Sequence, residues 1–305
     1  GDPPKELFAK VESFALNYQF GFVLDEKDQK LGLTEGERYV FETGDFNGDK
    51  RQDVVLGIGQ YAEGDLNFFF QTPDTPMPSP LVIEKVGGKP IGQVGALQAG
   101  DFNGDGLEDL AVAGRYSGMV HFFIQDQHHM PVPGPSFKAG QGPVALCAQD
   151  LEGDGKIELA VLLSLGQKLV LCQYEKSGRF TPLKEVSLPS SGRQAWLLPW
   201  TSADSGAGLL AVLPLAQKPL AFVPVKNGEP GVPVLSPLPG RKQVAGAAVL
   251  RTERAAGGKP APRRVVLLTN ETDAELLVLD ERDGMFQPSP EKPLPLRGFA
   301  LALAL

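Results

Sequence analysis

The sequence predicts an all-β fold built from a repeated unit, and three observations support this. An acidic ten-residue segment occurs twice in nearly the same form, at 44–53 and 100–109, and a weaker copy fills 149–158. A run of β-branched and aliphatic residues follows each copy, which is the pattern of a strand. The copies are regularly spaced, since Asp45 precedes Asp101 by 56 residues and Asp101 precedes Asp150 by 49.

Each repeat has the same internal order. A strand of small apolar residues such as 95–97 comes first, and the acidic loop leads from it to a second strand such as 110–113. A bulky strand such as 121–124 follows, and a Pro/Gly turn then leads to a short fourth strand. Four antiparallel strands in a unit of this length are typical of a β-propeller blade. Units beginning near 195 and 247 keep the order but lack the acids.

The two ends of the chain predict how the ring closes. Residues 22–28 resemble the third strand at 277–283, and residues 299–305 resemble a first strand. We therefore expect one β-propeller domain over 1–305, with about six four-stranded blades. Acidic-loop blades would fill about 39–195 and degenerate blades about 196–296, with a closing blade from 1–38 plus 297–305. The alternative is seven blades in a longer parent chain.

Composition narrows the classes of partner. The formal net charge of -8 argues against nucleic acid as a partner, and the sequence has no apolar run of about 18 residues that could form a transmembrane segment.

Cys147 and Cys172 fall on the first and third strands of one repeat, where next-nearest strands lie roughly 9–10 Å apart. Since a disulfide spans less than this, we expect two buried free thiols.

The acidic segments have the spacing of calcium loops. Such a loop takes oxygen ligands from positions 1, 3, 5, 7 and 9, and position 7 contributes its backbone carbonyl. The first loop offers Asp45, Asn47, Asp49, the carbonyl of Arg51, and Asp53. The second offers Asp101, Asn103, Asp105, the carbonyl of Leu107, and Asp109. The third offers Asp150, Glu152, Asp154, the carbonyl of Lys156, and Glu158. We expect Ca²⁺ at the first two loops, with a third site at the last.

The sequence around the loops excludes an EF-hand, because position 12 is aliphatic and a strand follows instead of a helix. Residues 44–53 and 100–109, and more loosely 149–158, resemble the FG-GAP/VCBS repeat family of integrin alpha-subunit heads and bacterial secreted proteins. The resemblance implies a propeller whose loops join strands 1 and 2 of a blade and are made rigid by calcium. It also implies an extracellular, periplasmic or cell-surface location. The repeats at 195–242 and 243–296 lack the ligands and are expected to be metal-free.

Two function classes fit these features. The first is a non-catalytic, exported, calcium-stabilised binding or scaffold module for a protein or glycan partner. The second is a propeller enzyme of the polysaccharide lyase or hydrolase type, with acids at a central channel. Acids outside the loops, such as Glu42 and Asp65, are scattered without a repeated position, which favours the binding module. The sequence has no His-Glu-x-x-His, P-loop or Gly-x-Ser-x-Gly motif.

Three further features carry weaker expectations. His128 and His129 lie in one turn and are expected to be exposed to solvent rather than to bind metal. Trp196 and Trp200 could stack on a sugar, but their place on a first strand favours core packing. The basic stretch 251–264 is expected to be a long exposed hairpin, serving either as a contact loop or as a solvated insertion.

Overall fold

A computed structural model describes thirteen segments of the chain. These are 38–60, 63–72, 80–83, 85–87, 89–175, 179–189, 195–202, 206–238, 244–250, 264–270, 274–282, 284–290 and 294–295. The chain divides after Gly36, and everything described belongs to the second unit, Glu37–Leu305. The expected closing strands at 22–28 and 299–305, and nearly all of the 251–264 stretch, lie outside the described residues.

The described residues form strands and turns, with no helix among them. Two sheets of four strands come first, separated by a small ribbon of β5 (Lys85–Val86) and β6 (Lys89–Pro90). The first sheet contains β1 (Arg38–Gly44), β2 (Asp53–Gln60), β3 (Glu63–Phe69) and β4 (Leu81–Ile83). The second contains β7 (Val94–Gly100), β8 (Asp109–Gly114), β9 (Met119–Gln125) and β10 (Pro131–Lys138).

Three more sheets follow in chain order. The third contains β11 (Pro143–Gln149), β12 (Glu158–Leu163), β13 (Lys168–Glu175) and β14 (Arg179–Ser187). The fourth contains β15 (Trp196–Ser202), β16 (Gly206–Val212), β17 (Leu220–Lys226), β18 (Glu229–Pro230) and β19 (Val234–Ser236). The fifth contains β20 (Val244–Leu250), β21 (Arg264–Asn270), β22 (Ala274–Arg282), β23 (Met285–Pro288) and β24 (Leu294–Pro295).

All five sheets are antiparallel, and in each the strands pair in chain order. The last two sheets differ from the expected four strands because the outer strand is interrupted. Both β18 and β19 pair with β17, and both β23 and β24 pair with β22. Proline has no backbone N–H to donate, and Pro233 and Pro290 lie in the two interruptions.

The sheets pack against one another in chain order. The first strands of successive sheets lie side by side, with β1 against β7, β7 against β11, β11 against β15, and β15 against β20. Four hydrophobic clusters fill the spaces between neighbouring sheets. Each middle sheet is therefore covered on both faces, which explains why every residue of β8 and of β12 is buried. This arrangement is the all-β propeller type that the sequence predicts.

Buried aromatic side chains complete the cores. Trp200 is buried and packs edge-to-face on Phe286 with the ring centroids 5.1 Å apart, while Trp196 packs against the same cluster. The expectation of core packing for both tryptophans is confirmed. Cys147 and Cys172 belong to different hydrophobic clusters, and the expectation of two buried free thiols is confirmed.

Candidate metal centres

The three acidic loops occupy the same place in three successive sheets, between the first and second strands. The strand ladder closes each loop at the same register, pairing Gly44 with Asp53, Gly100 with Asp109, and Gln149 with Glu158. Because the first strands of these sheets lie side by side, the three loops emerge at the same end of the sheets.

The second loop shows how the acidic side chains are arranged. Asp101 Oδ1 accepts the N–H groups of Gly104 at 2.7 Å and Asp105 at 3.1 Å, and Asp101 Oδ2 accepts that of Gly106 at 2.9 Å. Asn103 Oδ1 accepts the N–H of Asp105, and Asp105 Oδ1 accepts the N–H of Leu107, both at 2.9 Å. The oxygens at positions 1, 3 and 5 therefore all turn inward onto one short loop.

Backbone conformation makes this fold of the loop dependent on glycine. Gly104 has φ +79° and Gly106 has φ +87°, the left-handed region that favours glycine. The third loop has glycine at both equivalent positions, but the first places Lys50, with φ +67°, where the second has Gly106. The first loop therefore carries backbone strain that the other two avoid.

The first loop otherwise repeats the pattern of the second. Asp45 accepts the N–H groups of Asp49 and Lys50, at 3.0 Å and 2.8 Å. Asn47 Oδ1 accepts the N–H of Asp49 at 3.1 Å, and Asp49 Oδ1 accepts that of Arg51 at 2.9 Å. The local geometry of the first two loops is thus the same despite the different residues at positions 6 and 7.

The position-9 carboxylates are buried and tie each loop to its own sheet. Asp109 Oδ2 accepts the N–H of Phe102 at 3.1 Å, and its Oδ1 accepts that of Gln125 at 3.1 Å. Asp53 makes the equivalent contacts with Phe46 and Gln71, at 3.0 Å and 2.8 Å.

The pKa values of these two carboxyls reflect their burial. Burial raises the pKa of Asp109 to about 7, against the lowering by its two backbone hydrogen bonds and with further raising by Asp105 and Asp101. Burial likewise raises the pKa of Asp53 to about 6, with a smaller contribution from Asp49 and Asp45. In both loops the acids at positions 1 and 5 therefore help to raise the pKa of the carboxyl at position 9.

The loops differ in how the position-5 acid is balanced. In the first and third loops a basic side chain at position 7 pairs with it, with Arg51 Nη1 3.3 Å from Asp49 and Lys156 Nζ 2.5 Å from Asp154. In the second loop position 7 is leucine, and Asp105 instead accepts the side-chain amide of Asn103 at 2.8 Å. Within the described residues, neither Asp101 nor Asp105 has a Lys or Arg partner.

The third loop departs from the other two at positions 3 and 9. Asp150 still accepts the N–H groups of Gly153, Asp154 and Gly155. Glu152, however, extends to the turn after β17, where its Oε1 lies next to Gly228. Glu158 Oε2 accepts the N–H of Leu151 at 2.7 Å, and burial raises its pKa.

The donor set fits a hard divalent cation, because every side-chain donor is an oxygen and the spacing is that of a calcium loop. The described side chains are nevertheless not at ligand spacing, since no group of three His, Cys, Asp or Glu among them is arranged to hold a metal ion. Their oxygens accept N–H groups of the loop instead. Positions 3 and 5 would have to turn from these N–H groups to a cation.

One group of contacts that the sequence did not predict joins the first two loops. Glu108 Oε2 accepts the backbone N–H of Asp45 at 2.5 Å, and Gln125 Nε2 donates to the carbonyls of Asp45 and Glu108 at 2.6 Å and 2.7 Å. Glu42 lies close enough to be influenced by Glu108, and burial raises its pKa to about 7. No motif marks these residues, because they meet only when the two sheets pack together.

The prediction that His128 and His129 are exposed to solvent is confirmed. His128 and His129 are exposed in the turn after β9. His121 is buried, its Nδ1 lies 2.9 Å from Ser136 Oγ, and burial lowers its pKa. None of the three lies in a described group that could hold a metal ion.

Among the described residues there is no helix able to cross a membrane.

Comparison with solved structures identifies the fold. A protein of unknown function from Desulfotomaculum acetoxidans DSM 771 is similar with a TM-score of 0.54 and 13% identity, covering 82% of this chain and 70% of that one. A provisionally assigned 6-phosphogluconolactonase from Bacteroides fragilis NCTC 9343 has a TM-score of 0.53 and 14% identity, covering 84% and 81%. A second, from Bacteroides uniformis ATCC 8492, has a TM-score of 0.56 and 10% identity, covering 84% and 71%. At such identities the likeness concerns the fold alone.

The sequence of the loops identifies the family. A search of curated proteins finds no match to this chain. The profile of the FG-GAP-like repeat matches residues 45–112 and again residues 101–161. These two matches contain every candidate ligand position of the three acidic loops. The chain therefore carries repeats of the FG-GAP family over residues 45–161, within an all-β fold of the propeller type.

Proposed function

We propose that this protein is a non-catalytic binding or scaffold module whose first three sheets are stabilised by Ca²⁺ in the acidic loops. The observation that carries the proposal is the unbalanced negative charge of the second loop. Its acids at positions 1 and 5 lack a basic partner among the described residues, and they act electrostatically on the buried Asp109. A divalent cation would neutralise this group of carboxylates and use oxygens that already converge on one loop.

The proposed ligands are those that the sequence predicts. In the second loop they are the side chains of Asp101, Asn103, Asp105 and Asp109, with the carbonyl of Leu107. Bound calcium would supply positive charge and fix the loop between two strands, without taking part in a reaction. The basic side chains at position 7 in the first and third loops already balance one acid each. We therefore expect the second loop to bind most tightly.

We further propose that the protein works outside the cytoplasm. Extracellular calcium modules bind with dissociation constants of about 10⁻⁴–10⁻³ M, which suits compartments where free calcium is abundant. FG-GAP repeats are typical of extracellular proteins, and a row of packed sheets can present its loops to a protein or glycan partner.

A thermal melt in 10 mM calcium chloride and in excess chelator tests the metal sites. Saturating a site at a hundred-fold excess over its dissociation constant stabilises the fold by roughly 2.7 kcal/mol. We expect a clear rise in Tm with calcium, and a smaller rise in Asp105→Ala. The matched control is Glu185→Ala, which removes an exposed acid of β14 and should keep the full rise. The same Tm in calcium and chelator, with the protein folded in both, would refute the proposal.

One observation favours the alternative of a propeller enzyme. Glu42 and Glu108 come from different sheets and interact, and the pKa of Glu42 is raised to about 7 by burial, as a general acid requires. Hydrolysis of polysaccharides by such a pair would be abolished by Glu42→Gln. Loss of a measurable polysaccharide-degrading activity in this variant, with a Tm no lower than that of the parent, would favour the enzyme over the binding module.

A further inference from the structure

The backbone of the first acidic loop is held by side chains of the second sheet. Asp45 is position 1 of the first loop, and both of its backbone polar groups are engaged across the boundary between sheets. Its N–H donates to Glu108 Oε2 at 2.5 Å, and its carbonyl accepts Gln125 Nε2 at 2.6 Å. Glu108 belongs to the second loop and lies between Leu107 and Asp109, two of the proposed ligands there.

The same contacts continue to the buried end of the second loop. Gln125 Nε2 also donates to the carbonyl of Glu108 at 2.7 Å, and the backbone N–H of Gln125 donates to Asp109 Oδ1 at 3.1 Å. Gln125 and Asp109 are 4% and 1% exposed, so the hydrogen bond between these two residues is shielded from water. A continuous set of polar contacts therefore runs from the first position of one loop to the ninth position of the next.

The boundary between the second and third loops has a different composition. The residue equivalent to Glu108 is Ile157, whose side chain has no acceptor for the N–H of Asp101. The strand registers pair Leu110 with Phe123 and Leu159 with Cys172, so the residue equivalent to Gln125 is Tyr174, which has no side-chain amide. The hydrogen bonds that join the first loop to the second therefore have no equivalent between the second loop and the third, which makes the third loop an internal control.

We propose that Glu108 and Gln125 are positioning residues that couple calcium binding at the first loop to calcium binding at the second. This inference rests on the proposed function. A cation bound to Leu107 and Asp109 also fixes Glu108, which lies between them in the sequence, and Gln125, which donates to Asp109. Both residues hydrogen-bond to the backbone of Asp45, so Asp45 becomes ordered as well. The first loop then loses less conformational freedom when it binds its own cation, which gives positive coupling. By linkage the effect on affinity is reciprocal. The third site binds independently of the first.

Site-resolved calcium titration by amide NMR tests the coupling in the full chain. The signals of Gly48, Gly104 and Gly153 report the three loops separately. In Asp105→Ala, which disables the second loop, we expect the dissociation constant measured at Gly48 to rise at least about five-fold, the lower end of typical allosteric coupling. In Asp154→Ala, which disables the third loop, we expect that constant to stay the same.

Replacement of Glu108 identifies the residue that carries the coupling. Glu108→Ile introduces the side chain that the third loop has at this position, and should make binding at Gly48 independent of Asp105→Ala. Glu108→Gln keeps a carbonyl oxygen that can accept the N–H of Asp45, and should restore part of the dependence. A merely structural role of Glu108 would lower Tm without changing the dependence of one site on the other.

The outcomes separate this inference from the proposed function. No calcium-induced shift at any of the three glycines would refute calcium binding itself. Shifts at Gly48 and Gly104 with a dissociation constant at Gly48 unaffected by Asp105→Ala would refute the coupling and leave the calcium sites in place. Dependence that persists in Glu108→Ile would overturn the assignment to Glu108.

Discussion

The buried carboxylate of Asp109 accepts the backbone N–H of Phe102 at 3.1 Å, so the second acidic loop is closed on its own sheet by a side chain. The same carboxylate accepts the N–H of Gln125. Asp109 therefore has a structural role in addition to its proposed role as a cation ligand. The two roles can be separated by experiment.

We expect Asp109→Ala to lower the free energy of unfolding by about 2–4 kcal/mol even in chelator, because two buried N–H groups lose their acceptor. Asp105→Ala removes only an acceptor at an exposed turn and should cost less than about 1 kcal/mol in chelator. Urea unfolding of both variants measures the difference. Equal losses in chelator would contradict the structural role of Asp109.

Gly44 lies where the first loop meets the second. A Cβ at Gly44 would lie 2.9 Å from Glu108 Oε2 and 2.9 Å from the ring of Phe46, which is buried. We expect Gly44→Ala to lower the free energy of unfolding by about 1–3 kcal/mol through this overpacking.

Gly100 is the matched position in the second sheet, where a Cβ would meet Ala148 and Phe102 at 3.4 Å. We therefore expect Gly100→Ala to change stability by less than about 1 kcal/mol. Chemical unfolding compares the two variants. A greater loss for Gly100→Ala than for Gly44→Ala would be evidence against the packing described at this boundary.

The strained backbone at Lys50 predicts a stabilising substitution. Lys50 has φ +67°, and the second loop has Gly106 at the equivalent position with φ +87°. We expect Lys50→Gly to raise the free energy of unfolding by about 0.5–1 kcal/mol, and Gly106→Lys to lower it by about 1–2 kcal/mol. Thermal melts in chelator measure both, and changes in the same direction would contradict the prediction.

The pKa of Glu42 predicts how stability depends on pH. Burial raises this pKa from 4.5 to about 7, so the folded protein favours the protonated carboxyl. The corresponding stability is fully present below about pH 4.5 and is lost as pH rises through 7. Glu42→Gln should therefore gain roughly 1–3 kcal/mol relative to the parent between pH 5 and pH 8.

Urea unfolding of Glu42→Gln and the parent at pH 5 and pH 8 measures this gain. The control is Glu185→Gln, which alters an exposed carboxyl of β14 and is unfolded in urea at the same two pH values. A difference between Glu42→Gln and the parent that is the same at both pH values would contradict the burial of Glu42.

The sequence predicted those features that depend on local chemistry. The loops were recognisable because their donors, glycines and following strands are contiguous, and the repeat of this pattern established the order of the sheets. Whether the loops hold calcium stays a prediction. The interruption of the outer strands in the last two sheets was harder to predict from the sequence, although prolines such as Pro233 lie where the strand pairing is interrupted.

Contacts between sheets could not be predicted in this way. Glu108 and Asp45 are 63 positions apart, and Glu108 has no counterpart at the next boundary, where isoleucine stands instead. A search for periodic features discards such a residue, since its role comes from a neighbour that is not repeated. The scattered position of Glu42 is explained in the same way.

The four hydrophobic clusters lie between sheets instead of meeting in one common centre, and this determines how damage spreads. In such an arrangement the stability of each unit depends chiefly on its two neighbours. A cavity made by Trp200→Ala would loosen the fourth and fifth sheets, where Trp200 packs on Phe286. The first and second sheets share a separate cluster, and we expect their amide exchange rates to stay the same. The fourth and fifth sheets can therefore open locally while the first two sheets, which carry acidic loops, stay folded.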